Sequence, residues 1–215
     1  MLVSSDLHEK IERMNLLFDS SGIKQVVKNK SGFASFLGYL AALIPGLGRD
    51  LFMTRFSTIV ANTLYWGTSH RTEVSRLTTM CHEYTHWKDF QRVGYLRCWL
   101  MYALPQGFAV FGLLGFFDPW LFLFFLFILP WPSPGRTWME LRGYSTSLWV
   151  KHQLGYILNE DSVEHYCDYF TTGMYYWMFP FRGYIKRRLL ENLEAIKAGK
   201  LDIHSIEDLS KVFSK

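Results

Sequence analysis

Cys81-His82-Glu83-Tyr84-Thr85-His86-Trp87 contains a His-Glu-x-x-His pattern and decides how the rest of the chain is read. Residues four apart on an α-helix lie one turn above each other on the same face. His82 and His86 therefore offer two imidazoles to one metal ion. Glu83 stands beside them, placed to accept a proton from water at that ion. Zinc suits such a donor set because it takes nitrogen and oxygen ligands in a tetrahedron and leaves one position open for water. It brings the pKa of that water to about 7 and polarises a carbonyl oxygen. The reading requires a helix, and the neighbouring residues supply one. Val74, Leu77, Cys81, Tyr84 and Trp87 recur at helical spacing. Thr72 or Ser69 is placed to cap the start, and Gly94 to end it.

Two histidines need a third protein ligand. Glu140 is the candidate, within Trp138-Met139-Glu140-Leu141-Arg142-Gly143-Tyr144. On a helix Tyr144 follows one turn after Glu140. Glu140 would bind the metal while Tyr144 donates a hydrogen bond to a developing oxyanion. Arg142 points elsewhere and is expected in a structural ion pair. Asp89, seven residues after His82, lies on nearly the same face; it is a weaker ligand candidate and a better one for orienting a histidine. His70, His152 and His165 are isolated and read as surface or core histidines. His165, in Glu164-His165-Tyr166, is the alternative stabiliser of the oxyanion.

A chain of 215 residues is one domain, or one with an appendage. Its net charge of +4 is modest and its basic residues are dispersed among acidic ones, which excludes the footprint of a nucleic-acid partner. Cys81, Cys98 and Cys167 are odd in number and form no Cys-x-x-Cys pair. That argues against a disulfide framework or a cysteine zinc site and fits a reducing compartment.

Aromatic content of 18% and a mean hydropathy of +0.03 are high for a soluble protein, and one region is responsible. From Cys98 to Trp131 the sole residue charged at neutral pH is Asp118. Cys98 to Phe117 is 20 residues long, interrupted by Pro105 and several glycines, and Trp120 to Trp131 adds 12 more. A bilayer span needs about 20 apolar residues, so only the first run qualifies. With Asp118-Pro119 as a turn, the two read as a helical hairpin dipping into or through one membrane. Lys88, Arg92 and Arg97 precede it and Arg136 and Arg142 follow it, which keeps both feet, and the metal site, on the cytoplasmic side. Trp99, Tyr102, Trp131 and Trp138 stand where interfacial aromatics belong. The competing expectation is a hairpin buried in a larger particle.

Elsewhere the chain reads as follows. Met1 to Lys10 lacks a signal-peptide layout. Residues 6–19 form an amphipathic helix with Leu7, Ile11, Met14 and Leu17 or Phe18 on one face. Phe33 to Ile44, closed by Pro45-Gly46 and Gly48, is expected as a core helix, with an interfacial one as the alternative. Residues 51–66 look extended, giving one or two strands before the metal helix. An edge strand there would hold an extended peptide or simply pack on the helix. A helix runs through 144–155 to Gly155, and another from Asp161 to Met174. Tyr166, Phe170, Tyr175, Tyr176 and Trp177 are expected in the core. Phe181 to Lys200 is a basic helix, and Leu201 to Lys215 holds a last short one.

Taken together, Thr58 to Trp66, the helix with His82-Glu83-x-x-His86, and Glu140-x-x-x-Tyr144 resemble the gluzincin class of zinc metallopeptidases, whose best-known members are thermolysin-like. The resemblance covers roughly residues 56–95 and 137–148. It implies His82, His86 and Glu140 as ligands of Zn2+, Glu83 as general base, and a peptide or protein substrate. The 53 residues from 87 to 139 depart from that class; most of the excess is the apolar hairpin, as in small membrane-associated metallopeptidases. A metzincin pattern would need a third histidine near position 92, which Arg92 occupies. The expected architecture is one α+β, helix-dominated, zincin-like domain over residues 1–215, with a small sheet and an inserted apolar helical hairpin over 98–131. Two other expectations stand beside the peptidase: a zincin fold kept as a structural or assembly component of a virion or membrane complex, and hydrolysis of a non-peptide amide or ester.

Overall fold

A computed structural model describes residues 2–42, 48–69, 71–173 and 177–214, the side chains of residues 2–5 excepted. Helix α1 (Leu2–Ser20) is followed by β1 (Lys24–Val27), a single 3-10 turn (Lys28–Lys30), α2 (Gly32–Ala41) and α3 (Arg49–Thr54). Strands β2 (Thr58–Val60) and β3 (Thr63–Trp66) lead into α4 (Glu73–Val93) and α5 (Tyr95–Ala103). Two 3-10 helices, Gln106–Phe116 and Pro119–Ile128, form the apolar hairpin. Helices α6 (Pro134–Gln153), α7 (Glu160–Thr171), α8 (Arg182–Lys197) and α9 (Ser205–Phe213) complete the chain. The fold is α+β and helix-dominated, with one three-stranded sheet in the order β1-β3-β2.

Helix α4 forms where the motif demands it. The Thr72 side chain accepts from the Ser75 amide at the start, and Gly94, at φ 95°, ends it. The centre of α4 is buried almost all round because α1, β2, α6 and α9 pack against it. Met14 and Phe18 of α1 pack on one side, with the Phe18 and Tyr84 rings 6.2 Å apart. On another side α6 brings Leu148, and α8 backs α6 with Leu189 and Leu193. Burial of side chains this large stabilises a fold by about 1.5–3 kcal/mol each.

The strands expected before α4 are present as a tight hairpin over 58–66 in which Ile59 faces Leu64, but residues 51–54 are the end of α3 rather than extended. Strand β1 lies parallel to β3, with Val26 opposite Tyr65. Helix α2 is inside out for a core helix: Ala34, Gly38 and Ala41 are buried, while Phe33, Phe36, Tyr39 and Leu40 are exposed. Small residues let it approach α3 closely, since a Cβ on Gly38 would lie 3.0 Å from the Met53 sulfur. Residues 43–47, which include Ile44, Pro45 and Gly46, lie outside the described residues, as do His70, Met174, Tyr175 and Tyr176. Tyr166 and Phe170 are buried as expected, but Trp177 is exposed.

The apolar hairpin begins later than the composition indicates. Cys98 to Ala103 belong to α5, which packs on α4 and α6, and the chain then bends by 78° into the first 3-10 helix. Among the described residues no single helix is long and apolar enough to cross a membrane. The two 3-10 helices pack chiefly on each other.

Candidate metal site

Helices α4 and α6 lie side by side in opposite directions and close the site between them. Arg142 of α6 meets Asp89 of α4, Thr146 meets Thr85, and Ser147 meets His82, so the pairing steps backward along α4. This register places Glu140 beside the two histidines. One donor atom from each of His82, His86 and Glu140 lies within 4.8 Å of the others, and all three residues are buried. The group can hold a metal ion. Glu140 Oε2 is 3.6 Å from His82 Nε2 and 3.9 Å from His86 Nε2, and the two ring nitrogens are 3.0 Å apart.

Several observations fit a cation at this point. Glu140 Oε2 is buried without a hydrogen-bond partner among the described residues, although a buried carboxylate oxygen left unpaired costs about 1–3 kcal/mol or more. Its other oxygen accepts from the Tyr102 hydroxyl of α5 at 3.4 Å. His82 Nδ1 lies 3.3 Å from the Ser147 hydroxyl, an outer contact that orients the ring and leaves Nε2 facing the site. Gly143 makes room for the same ring, since a Cβ there would come within 2.6 Å of His82 Cε1.

The electrostatics follow from burial among these partners. Burial and the neighbouring His82 push the His86 pKa down to about 4, so its imidazole is neutral. Burial opposes charge on both His82 and Glu140. Their mutual attraction across 3.6 Å outweighs it, raising the His82 pKa and lowering that of Glu140. An anionic carboxylate and a neutral imidazole are the states that bind metal, and a bound dication would displace the remaining proton from His82. Glu83 lies on a different side of α4. Its Oε2 accepts from the Ile59 amide of β2 at 2.9 Å, and burial raises its pKa to about 7 against the pull of His82.

Other expected residues fall near the site or away from it. The Tyr144 ring packs edge-on against His82, with centroids 4.9 Å apart, and stacks on Tyr169 at 5.2 Å. His165 is on the exposed side of α7 and touches Tyr166 and Tyr169; its route to the metal ligands runs through the Tyr169 and Tyr144 rings. Among the described residues Asp89 hydrogen-bonds to no histidine. Its buried carboxylate takes three hydrogen bonds of 2.7–3.0 Å from Arg142, which makes Arg142 the ion-pair residue the sequence implied. Gly143, Ser147 and Tyr102 carry no motif, although Gly143 and Ser147 lie three and seven residues after Glu140, at helical spacing.

Lys28 was also unmarked in the sequence. It is fully buried beneath the sheet, donating to Phe52 O at 2.9 Å, with its ammonium 3.4 Å from the Phe52 ring centroid. Burial lowers its pKa to about 7, with Glu83 acting in the opposite sense. No protein family, curated protein or solved structure matches this chain, so the site stands on its own geometry.

Proposed function

We propose that this protein is a zinc-dependent peptidase in which His82, His86 and Glu140 hold the metal and Glu83 is the general base. The observation that carries the reading is the pairing of a buried two-histidine, one-carboxylate donor set with a separate glutamate. A purely structural ion needs no such base. Two imidazoles and a carboxylate suit zinc and leave a coordination position open. Zinc bound there supplies a Lewis acid that polarises a carbonyl and acidifies water.

The chain's own residues do the rest. The Ile59 amide anchors one oxygen of Glu83 and leaves the other to take a proton from the attacking water. Glu83, with a pKa raised to about 7, then returns that proton to the leaving amine. Of Tyr144 and His165, Tyr144 is the better candidate to donate a hydrogen bond to the oxyanion, with its ring against His82. His165 reaches this region only through Tyr169, whose hydroxyl lies 3.4 Å from its Nε2 and whose ring stacks on Tyr144.

The test combines metal analysis with a peptide library. Wild type is expected to bind one zinc and cleave peptides. Glu83→Gln should keep the zinc and lose cleavage, while Glu140→Ala should lose both. Normal zinc in Glu140→Ala would remove Glu140 from the ligand set. Zinc binding by wild type without cleavage of any peptide would favour the alternative of a non-catalytic assembly component.

A further inference from the structure

The hairpin raises a separate question, because its apolar residues are not covered by the rest of the chain. Phe116, Phe117 and Trp120 at its tip are 82%, 88% and 77% exposed, and Val110, Leu113, Leu123, Leu126 and Leu129 are exposed along both arms. No residue of the second 3-10 helix is buried. Only the seam between the arms is closed. A Cβ on Gly112 would come within 2.6 Å of the Phe125 ring, and one on Gly115 within 2.4 Å of Phe122. Residues three apart eclipse in a 3-10 helix, so these two glycines form one flat strip against which two phenylalanines lie.

We propose that the hairpin Gln106–Leu129 inserts into a lipid bilayer from one side without crossing it. This seats the metal site at the membrane surface, so that its substrate is a polypeptide segment held there. The last clause rests on the peptidase reading; the insertion does not.

Four observations favour lipid over a protein partner. The exposed apolar residues surround the hairpin, whereas a protein interface covers one face and carries a polar rim. The arms satisfy their backbone internally through helical hydrogen bonds, as a hydrocarbon environment demands. Trp99, Trp131 and Trp138 are exposed at the base, where indoles favour the headgroup level. Arg92 and Arg97, both exposed just before the apolar stretch, suit an anionic surface, whereas Lys88 is paired with Asp208 and Arg136 lies over the Tyr102 ring.

Length decides the depth. Eleven residues at about 2.0 Å rise give an arm of roughly 22 Å, short of the ~30 Å hydrocarbon core, so the tip stops before the far surface. The hairpin connection keeps both feet on one side. Tyr102, four residues before the hairpin, donates to Glu140 and fixes the metal site near its base.

The test uses the full chain with vesicles of phosphatidylcholine, with and without 30% phosphatidylglycerol. Wild type should float with both, more tightly with the anionic set. A Phe116→Asp, Phe117→Asp, Trp120→Asp variant should lose at least tenfold in partitioning with its zinc content unchanged. Cys81, Cys98 and Cys167 are buried, so the thiol introduced by Phe117→Cys can be labelled selectively. On vesicles that thiol should resist an impermeant maleimide supplied outside or trapped inside. Labelling from outside, or no flotation, overturns insertion. Labelling from inside means a full span and overturns the re-entrant geometry. Tip protection through a dimer without vesicles makes a second copy the partner and overturns it too. Flotation is read equally in zinc-stripped protein and in Glu83→Gln. A floating protein without peptidase activity therefore refutes only the proposed chemistry, and an active protein that fails to float refutes only the insertion.

Discussion

Replacing Gly143 by alanine is expected to weaken zinc binding about 10–100-fold and to destabilise the metal-free fold by about 0–2 kcal/mol. The new methyl would lie 2.6 Å from His82 Cε1 and 2.7 Å from Nε2, where carbon contacts ordinarily begin near 3.5 Å. The ring must retreat by roughly 0.9 Å, yet a ligand bond tolerates only about 0.2 Å. Tyr144 and His86 flank the ring and Ser147 holds its Nδ1, so it has little freedom to tilt instead. In the metal-free protein, helix propensity favours alanine over glycine by about 1 kcal/mol, against about 1–3 kcal/mol for overpacking. The assay is a zinc titration against a competing chromophoric chelator, with thermal melts in EDTA and in zinc. A 100-fold loss removes up to about 2.7 kcal/mol of zinc-dependent stabilisation. In a His82→Ala background, Gly143→Ala should add nothing. Zinc affinity within threefold of wild type would refute the argument that His82 binds from this position.

Three further outcomes can be measured. Arg142→Met should destabilise the fold by about 3–5 kcal/mol in urea unfolding, because it strands the buried Asp89 carboxylate; a loss under 1 kcal/mol would contradict this. Peptidase activity should rise with pH, with a midpoint at or below about 7, because Glu83 must be ionised to accept a proton and a bound cation lowers its pKa; a flat profile from pH 5 to 8 would remove Glu83 as base. Lys28 has a folded pKa of about 7 against 10.5 unfolded, so the unfolded chain binds the extra proton between those values. Wild type should therefore gain stability over Lys28→Met as pH rises from 7 to 9.5, by at most about 1.4 kcal/mol per unit; an unchanged difference would show that Lys28 titrates normally.

The candidate metal site was legible in the sequence to the extent that helical periodicity reaches. His82 and His86 follow from spacing within one helix, and Glu140 from its place on a second helix rich in small and apolar residues. The register between α4 and α6 was not legible, because Thr85, Thr146, Ser147 and Gly143 act through contacts about 60 residues apart in sequence. Strand β1 was missed because Lys24-Gln25-Val26-Val27 is short and its partner β3 lies nearly 40 residues on. In 51–66, β-branched and aromatic residues hid the turn of α3. For α2, composition gave the helix but not its orientation: glycine and alanine face inward and the rings outward, the reverse of the usual hydrophobic assignment. The hairpin's greasiness was plain, but its 3-10 winding was not, and that winding sets its reach.

The bond from the Ile59 amide to Glu83 has one more consequence. A sheet edge with unused amides invites another extended chain to join it. Here the middle amide of the three-residue edge strand is already committed to an acid from the helix below. A guest strand that claimed Ile59 would unhook Glu83, so docking at that rung and holding this carboxylate in place are mutually exclusive. Any polypeptide lying along this border must leave that rung alone or release Glu83 on arrival.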